Sequence, residues 1–406
     1  MDPRAHAAHA LRQGFRVSDR MAGLVVALLT SVLLAVPTTV AVAAPAVALP
    51  APAAPGSPSG PAPVGGPLLG TSGRVVFDAT GGASTPPTLK VEAYVVADLD
   101  TGAVLLARNA HERLRPASTL KTLTALTLLP QLDPAWSYLG TADDANAEGS
   151  KAGIYPGGSY TIGDLWDALF LPSGNDAAHA LAMAAGGVGP TVRAMNAKAA
   201  ELGALDTHAV NPSGLDADGQ YSSAYDLALF ARAGLARDDF RTYCSRKSAD
   251  FPGKDGKSYK IQNQNRLLYN YDGALGVKTG YTTLARNTFV GAAQRNGHRL
   301  VVTLMNSGYG TWKEAAQLLD WGFANYGRLA PVGELVTSAP SAPQPRGAAT
   351  VHTAPVSASV GTAAGPVRPP APVLPLTLVA VSLLLLSARL GRLTGGRRPG
   401  GSLPRR

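Results

Sequence analysis

The 406-residue chain carries 36 basic and 27 acidic side chains, a formal charge of +9, a single cysteine and a 46% apolar share. That apolar content excludes a disordered chain, and the lone Cys244 excludes an intrachain disulfide framework, so an exported fold must stand on its core alone. The charge does not describe a nucleic-acid surface: the first 20 residues contribute +2 and six C-terminal arginines +6, leaving about +1 for everything between.

Arg4, Arg12, Arg16 and Arg20 precede an uncharged apolar run, Met21 to Val36, which Pro37 breaks. Ala41-Val42-Ala43 then fits the small-x-small pattern of a signal-peptidase site, with Ala46-Val47-Ala48 as a second choice and an uncleaved anchor as the bland alternative. Residues 1–43 therefore read as a signal peptide. Residues 44–87 read as a spacer, almost purely Ala, Pro, Gly and Ser up to about Pro67, and a similar composition returns over 329–371. Between them lies a domain of residues 88–328. An uncharged segment, 372–390, then leads into an arginine-rich tail, 391–406, the pattern of a membrane anchor with its basic end inside. Leu374 to Leu378, "LPLTL", permits a rival reading as a degenerate sortase signal, with Leu378 where such signals carry glycine. The expected arrangement is a single-pass protein of the cell membrane, its domain tethered on the extracytoplasmic side.

Within the domain, Tyr94–Asp98 and Val104–Arg108 read as two strands joined by a turn at Asp100-Thr101-Gly102. Helical periodicity follows over 118–129, 162–171, 176–185, 191–202 and 223–233. Three β-branched runs, "GALGVKTGYT", "NTFVGAAQRN" and "HRLVVTLMNS", come next, and "WKEAAQLLDWGFANY" closes the domain as an amphipathic helix. Strands at both ends with helices between predict an α+β fold: one antiparallel sheet completed by distant segments and flanked by helices, beside a helical subdomain.

Three short stretches carry chemistry. In "RPASTLKTLTAL", Ser118 either caps a helix or is a nucleophile, since Lys121 three residues on shares its helical face. Serving as base requires the Lys121 pKa to fall from about 10.4 to near 7, about 4 kcal/mol in favour of the neutral amine, supplied by burial or a second cation. In "LFLPSGNDAAHALA", Ser173-Gly174-Asn175 is either a helix-helix turn or a hydroxyl and an amide presented to a cleft. In "GVKTGYT", Lys278 and Thr279 sit between Gly276 and Gly280, and glycine inside a strand often marks close approach of another backbone or a ligand. Lys278 would be the second cation.

Together Ser118-x-x-Lys121, Ser173-Gly174-Asn175 and Lys278-Thr279-Gly280 resemble the ordered motifs of the penicillin-recognising serine acyl-transferases. "NPSGLDADGQYSSAYDLALFAR", "NQNRLL" and "DGALGVKTGYT" narrow the resemblance to the low-molecular-weight D-alanyl-D-alanine carboxypeptidases, of β-lactamase/transpeptidase-like fold. The resemblance implies that Ser118 attacks the D-Ala-D-Ala carbonyl of peptidoglycan stem peptides and that Lys121 takes its proton. It implies that Ser173 and Lys278 relay a proton to the departing D-alanine, that Asn175 holds the acyl-side amide and that Thr279 meets the terminal carboxylate. The amides of Ser118 and Tyr281, beside Gly280, would form the oxyanion hole. No metal or organic cofactor is implied, and β-lactams would be covalent inhibitors.

The chain departs from the family in places. Ala285-Arg286 stands where an Ala-Gly pair is usual, and a family arginine that grips the terminal carboxylate falls at Lys313. A spacer and apolar segment replace the C-terminal β-domain and amphipathic anchor of many relatives. His111, His179 and His208 show no ligand spacing and no pairing with an acid, so surface or core roles are expected; Trp136, Trp166 and Trp321 are expected in the core. The rival functions are a D,D-endopeptidase, a β-lactamase, against which the missing Glu-x-x-x-Asn element speaks, and a tethered wall-binding protein without turnover.

Overall fold

The computed structural model describes residues 63–308 and 311–339. The expected signal peptide, anchor, basic tail and sortase-like stretch lie outside the described residues, as do residues 44–62 and 340–371 of the two spacers. In chain order the elements are β1 (Arg74–Val75), β2 (Phe77–Asp78), β3 (Val91–Asp98), β4 (Ala103–Arg108), α1 (Lys121–Leu128), β5 (Ser137–Leu139), α2 (Ala142–Asn146), β6 (Ser159–Thr161), α3 (Ile162–Phe170), α4 (Asn175–Ala184), α5 (Val188–Glu201), α6 (Ala224–Leu235) and α7 (Asp238–Ser245). There follow β7 (Ser248–Pro252), β8 (Ser258–Gln262), α8 (Leu267–Asn270), β9 (Ala274–Thr282), β10 (Arg286–Arg295), β11 (His298–Ser307), α9 (Thr311–Ala324), β12 (Leu329–Ala330) and β13 (Gly333–Glu334).

The main sheet runs β1-β4-β3-β11-β10-β9, with β13 also on β4, and its pairs are antiparallel. It joins the two ends of the domain through β3 and β11, as expected. Both faces are covered, which explains why β3 reads as a nearly continuous apolar run rather than an alternating one. Its side chains still alternate between two cores. Ala93, Val95 and Ala97 pack with α6 and the helical subdomain, whereas Tyr94 and Val96 pack with Ala315, Leu318, Leu319 and Trp321 of α9. The first core is the larger; within it α3 packs on α4 and α4 on α1, and α1 with the turn leading into it lies against β9, the last strand of the order.

The domain is longer at both ends than the boundaries 88 and 328. Leu69 is buried, β1 pairs with β4, β2 with β12, and Glu334 N–H donates to Gly65 O at 2.8 Å. Residues 63–87 and 329–339 thus belong to the folded body rather than to the spacers. Composition hides them because they contribute few buried apolar side chains, Leu69 at one end and Leu329, Val332 and Leu335 at the other, and otherwise backbone hydrogen bonds. The helix α7 and the hairpin β7–β8 were also absent from the sequence pattern. Only Phe240 and Cys244 of α7 are buried, one helical turn apart, too sparse for a periodic signal. Trp166 and Trp321 are buried as expected, but Trp136 is 56% exposed, on a turn held by its own N–H to Asp133 O at 3.0 Å.

Candidate active site

The Ser118 hydroxyl does not cap its helix. A 3₁₀ turn, Ala117–Leu120, leads into α1 without a side-chain cap on either, and Ser118 Oγ lies 3.0 Å from Lys121 Nζ. Ala117 precedes it at φ 47°, a left-handed conformation costly for a residue with a Cβ. Two neighbours hold that turn. Thr288 Oγ1 donates to Pro116 O at 2.7 Å, and Gly214, at φ +82°, lies so close that a Cβ there would stand 1.9 Å from Ala117 O. The Ser118 N–H, in the first turn, has no intrahelical acceptor and is free for a developing negative charge.

Lys121 is fully buried and touches two further groups, Asn175 Oδ1 at 2.6 Å and Ser213 O at 2.9 Å. Both are acceptors only, so a neutral amine spends its two hydrogens on them and is left with its lone pair toward the Ser118 hydroxyl. Asn175 opens α4 and is itself oriented at its other end, where Nδ2 donates to Glu148 O at 2.6 Å, leaving one Nδ2 hydrogen for a substrate carbonyl. Ser173 stands just before it at φ 65°, with a buried Oγ that has no partner. A strained backbone presenting an unsatisfied hydroxyl is the arrangement expected of a group waiting for a ligand or a proton.

The strand β9 supplies the opposite wall. Gly280 packs against the nucleophile turn: a Cβ there would lie 2.8 Å from Ser118 N and 2.3 Å from Thr288 Oγ1, so only glycine lets the strand approach. Lys278 is 1% exposed and donates to Thr279 O at 2.9 Å. Burial alone pushes its amine down to about 7. Lys121 is driven well below the ordinary lysine value, first by burial, then by the Lys278 charge, against an opposing pull from Asp176. That pull is blunted because the Asp176 carboxylate is committed to the amides of Ala152, Gly153 and Ile154 at 2.9, 2.8 and 3.1 Å. The second cation anticipated from the sequence is therefore present and acts in the anticipated direction.

A cleft of about 470 Å³ gathers Ser118, Ser173, Thr279, Gly280 and Tyr281. Tyr281 is 65% exposed at its mouth. Lys313 is not brought there: it is solvent-exposed on the first turn of α9, its ammonium 5.7 Å from the Trp312 ring centroid. The cleft is lined at that end by Thr311 and Trp312, and by Gln264 and Arg266 from the loop before α8. The sequence signal for these last two was the "NQNRLL" stretch, whose side chains alternate outward and inward. Arg286 opens β10 at φ 56° and stays exposed outside the cleft lining. The histidines are corrected as well: His111 Nδ1 lies 2.6 Å from Asp206 Oδ2 and His179 Nδ1 2.6 Å from Asp144 Oδ1, partners invisible to spacing because they are 95 and 35 residues distant. Neither pair adjoins a nucleophile of the cleft.

The family model of D-alanyl-D-alanine carboxypeptidases, peptidase family S11, matches residues 80–308. A D-alanyl-D-alanine carboxypeptidase of Mycobacterium tuberculosis is 47% identical over 245 residues, 59% of this chain and 84% of that relative. A counterpart from Bacillus subtilis is 32% identical over 247 residues, 58% of this chain and 63% of the relative. Among solved structures, a D-alanyl-D-alanine carboxypeptidase of Mycobacterium tuberculosis superposes with a TM-score of 0.61 at 45% identity, over 64% of this chain and all of that one. A DD-transpeptidase from Streptomyces superposes with a TM-score of 0.57 at 30% identity, over 59% of this chain and all of that one. The antiparallel sheet, its flanking helices and these matches agree: the chain belongs to the D-alanyl-D-alanine carboxypeptidases of peptidase family S11 and is a serine hydrolase.

Proposed function

We propose that Ser118 is the nucleophile and neutral Lys121 its base in the removal of the terminal D-alanine from peptidoglycan pentapeptide stems. The observation that carries this reading is the environment of Lys121 Nζ, where two obligate acceptors leave the lone pair for the Ser118 hydroxyl. Ser118 Oγ bonds to the penultimate D-alanine carbonyl carbon as its proton passes to Lys121. The oxyanion is met by the amides of Ser118 and Tyr281. Collapse breaks the peptide bond, and the proton held by Lys121 reaches the departing amine through Ser173, with Lys278 beside it. Water then attacks the acyl-enzyme, gives its proton to Lys121, and releases the shortened peptide with Ser118 restored. Asn175 fixes Lys121 and offers its remaining N–H to the acyl side, while Thr279 faces the substrate carboxylate. β-Lactams would acylate the same serine.

The signal peptide over 1–43 and the apolar segment over 372–390 support export and tethering, with the domain on the cell-wall side and the spacer setting its reach. Among the described residues no helix is long and apolar enough to cross a membrane. The test of function is D-alanine release from a pentapeptide. The wild type should release it and label with fluorescent penicillin, and Ser118→Ala should do neither. A folded Ser118→Ala protein that still releases D-alanine would sink the assignment.

A further inference from the structure

Asn175 is oriented from outside its own helix. Its Nδ2 donates to Glu148 O and its backbone N–H to Ser150 O, both at 2.6 Å. A Cβ on Gly149, between those two carbonyls, would stand 2.6 Å from Asn175 Nδ2. The segment 144–154 is therefore pressed against the start of α4, and its Ser150 lines the cleft. A shift of this wall turns the Asn175 amide, and with it the Oδ1 that lies 2.6 Å from Lys121 Nζ.

The wall is fastened to α4 at both ends. Asp176 holds one end through the amides of Ala152, Gly153 and Ile154. The other end is α2, and there the fastening is His179, four residues after Asn175 and hence on the same face of α4 one turn further along. His179 Nδ1 lies 2.6 Å from Asp144 Oδ1. Asp144 is fully buried, and its Oδ2 accepts from the Tyr138 hydroxyl, the Thr141 N–H and the Thr141 hydroxyl at 2.8, 2.8 and 2.7 Å. Those bonds tie the carboxylate to β5 and to the cap of α2. Because a carboxylate oxygen only accepts, Nδ1 is the donor, and it supplies the one side-chain hydrogen bond between α2 and α4 among the described residues.

We infer that His179 is a positioning residue: its bond to Asp144 clamps the 144–150 segment onto α4 and thereby fixes the Asn175 amide that holds Lys121. The inference rests on the proposed roles of Ser118 and Lys121. His179 itself lies outside the cleft lining, so it acts through Asn175 and touches no reacting atom.

The test is a double-mutant cycle on the second-order rate of acylation by fluorescent penicillin. His179→Ala leaves a good helix former in α4 and should lower the rate about 5- to 20-fold, since an ångström of misplacement costs about 100-fold. In an Asn175→Ala background the same change should cost less than about twofold, because a clamp that acts through Asn175 has nothing left to position. His179→Asn, whose amide N–H takes the place of Nδ1–H, should recover most of the loss. Tyr138→Phe removes a bond to the same carboxylate without freeing α4, so it should lower the melting temperature as His179→Ala does and keep acylation within about twofold of wild type. Additive losses in the double variant, wild-type acylation in His179→Ala, or an equal loss in Tyr138→Phe overturns the inference. Label that persists in folded Ser118→Ala would instead overturn the reading beneath it, so the two failures are distinguishable.

Discussion

Replacing Gly280 by alanine should damage the nucleophile more than the fold. The added Cβ would stand 2.8 Å from Ser118 N, 3.0 Å from Thr119 N and 2.3 Å from Thr288 Oγ1. Thr288 cannot simply rotate away, since its hydroxyl is buried and holds Pro116 O at 2.7 Å, a bond worth about 1 kcal/mol. Restoring ordinary contacts of about 3.4 Å therefore requires β9 to move roughly half an ångström from the Ala117–Leu120 turn and about one ångström from the Thr288 hydroxyl. Overpacking of this kind costs about 1–3 kcal/mol, a fall of roughly 2–10 °C in melting temperature for a domain of this size. The same displacement moves the Ser118 hydroxyl and its amide away from each other's target, and an ångström of misplacement costs about 100-fold in rate. The assay is the second-order rate of acylation by fluorescent penicillin, read beside a thermal melt. A loss of about 10- to 100-fold in acylation with a modest melting shift is expected. Wild-type acylation in Gly280→Ala would refute the claim that the strand and the nucleophile turn touch as closely as described.

Lys278→Met should move the acid limb of the acylation rate to higher pH. The Lys278 charge depresses Lys121 by repulsion, so removing it favours protonated Lys121, which must then be deprotonated at higher pH. The pH profile of penicillin acylation reads this, and a limb that stays in place or moves down contradicts it. The same variant should be more stable than the wild type at low pH. The Lys278 pKa falls from 10.5 to about 7 on folding, so its neutral form is favoured. The wild type is unburdened above 10.5, loses stability as pH falls from 10.5 to 7, and bears the full cost below 7, on the order of 3–5 kcal/mol. Urea denaturation at pH 6 and pH 10 should show the difference between variant and wild type shrinking as pH rises.

The fold and the site were legible in the sequence to different depths. The β3–β4 hairpin, the three later strands and α9 announced themselves because long apolar runs bounded by glycine and polar turns have one physical outcome in water. Short edge pieces did not: β1, β2, β12 and β13 are two residues each and are held by backbone hydrogen bonds that any composition can make. In the site, Ser118, Lys121, Ser173, Asn175, Thr279 and Lys278 were found through motif order, and the structure brings them together around the cleft and its floor. Lys313 was misplaced because position along the chain does not say which side of a helix's first turn faces a cleft. The contribution of Ser213 was invisible for another reason: it acts through its carbonyl, which every residue has. Gln264 and Arg266 needed the alternation of the 263–266 loop in three dimensions before their place in the cleft lining could be seen.

The central claim, that an uncharged Lys121 serves Ser118, is tested most directly by the pH dependence of the rate at which penicillin acylates the protein, with the adduct mapped by mass spectrometry. The rate should rise along one acid limb and level off well below the ordinary lysine value of 10.5, with the label on Ser118. A rate that keeps climbing toward 10.5, or an adduct on any other residue, would contradict it.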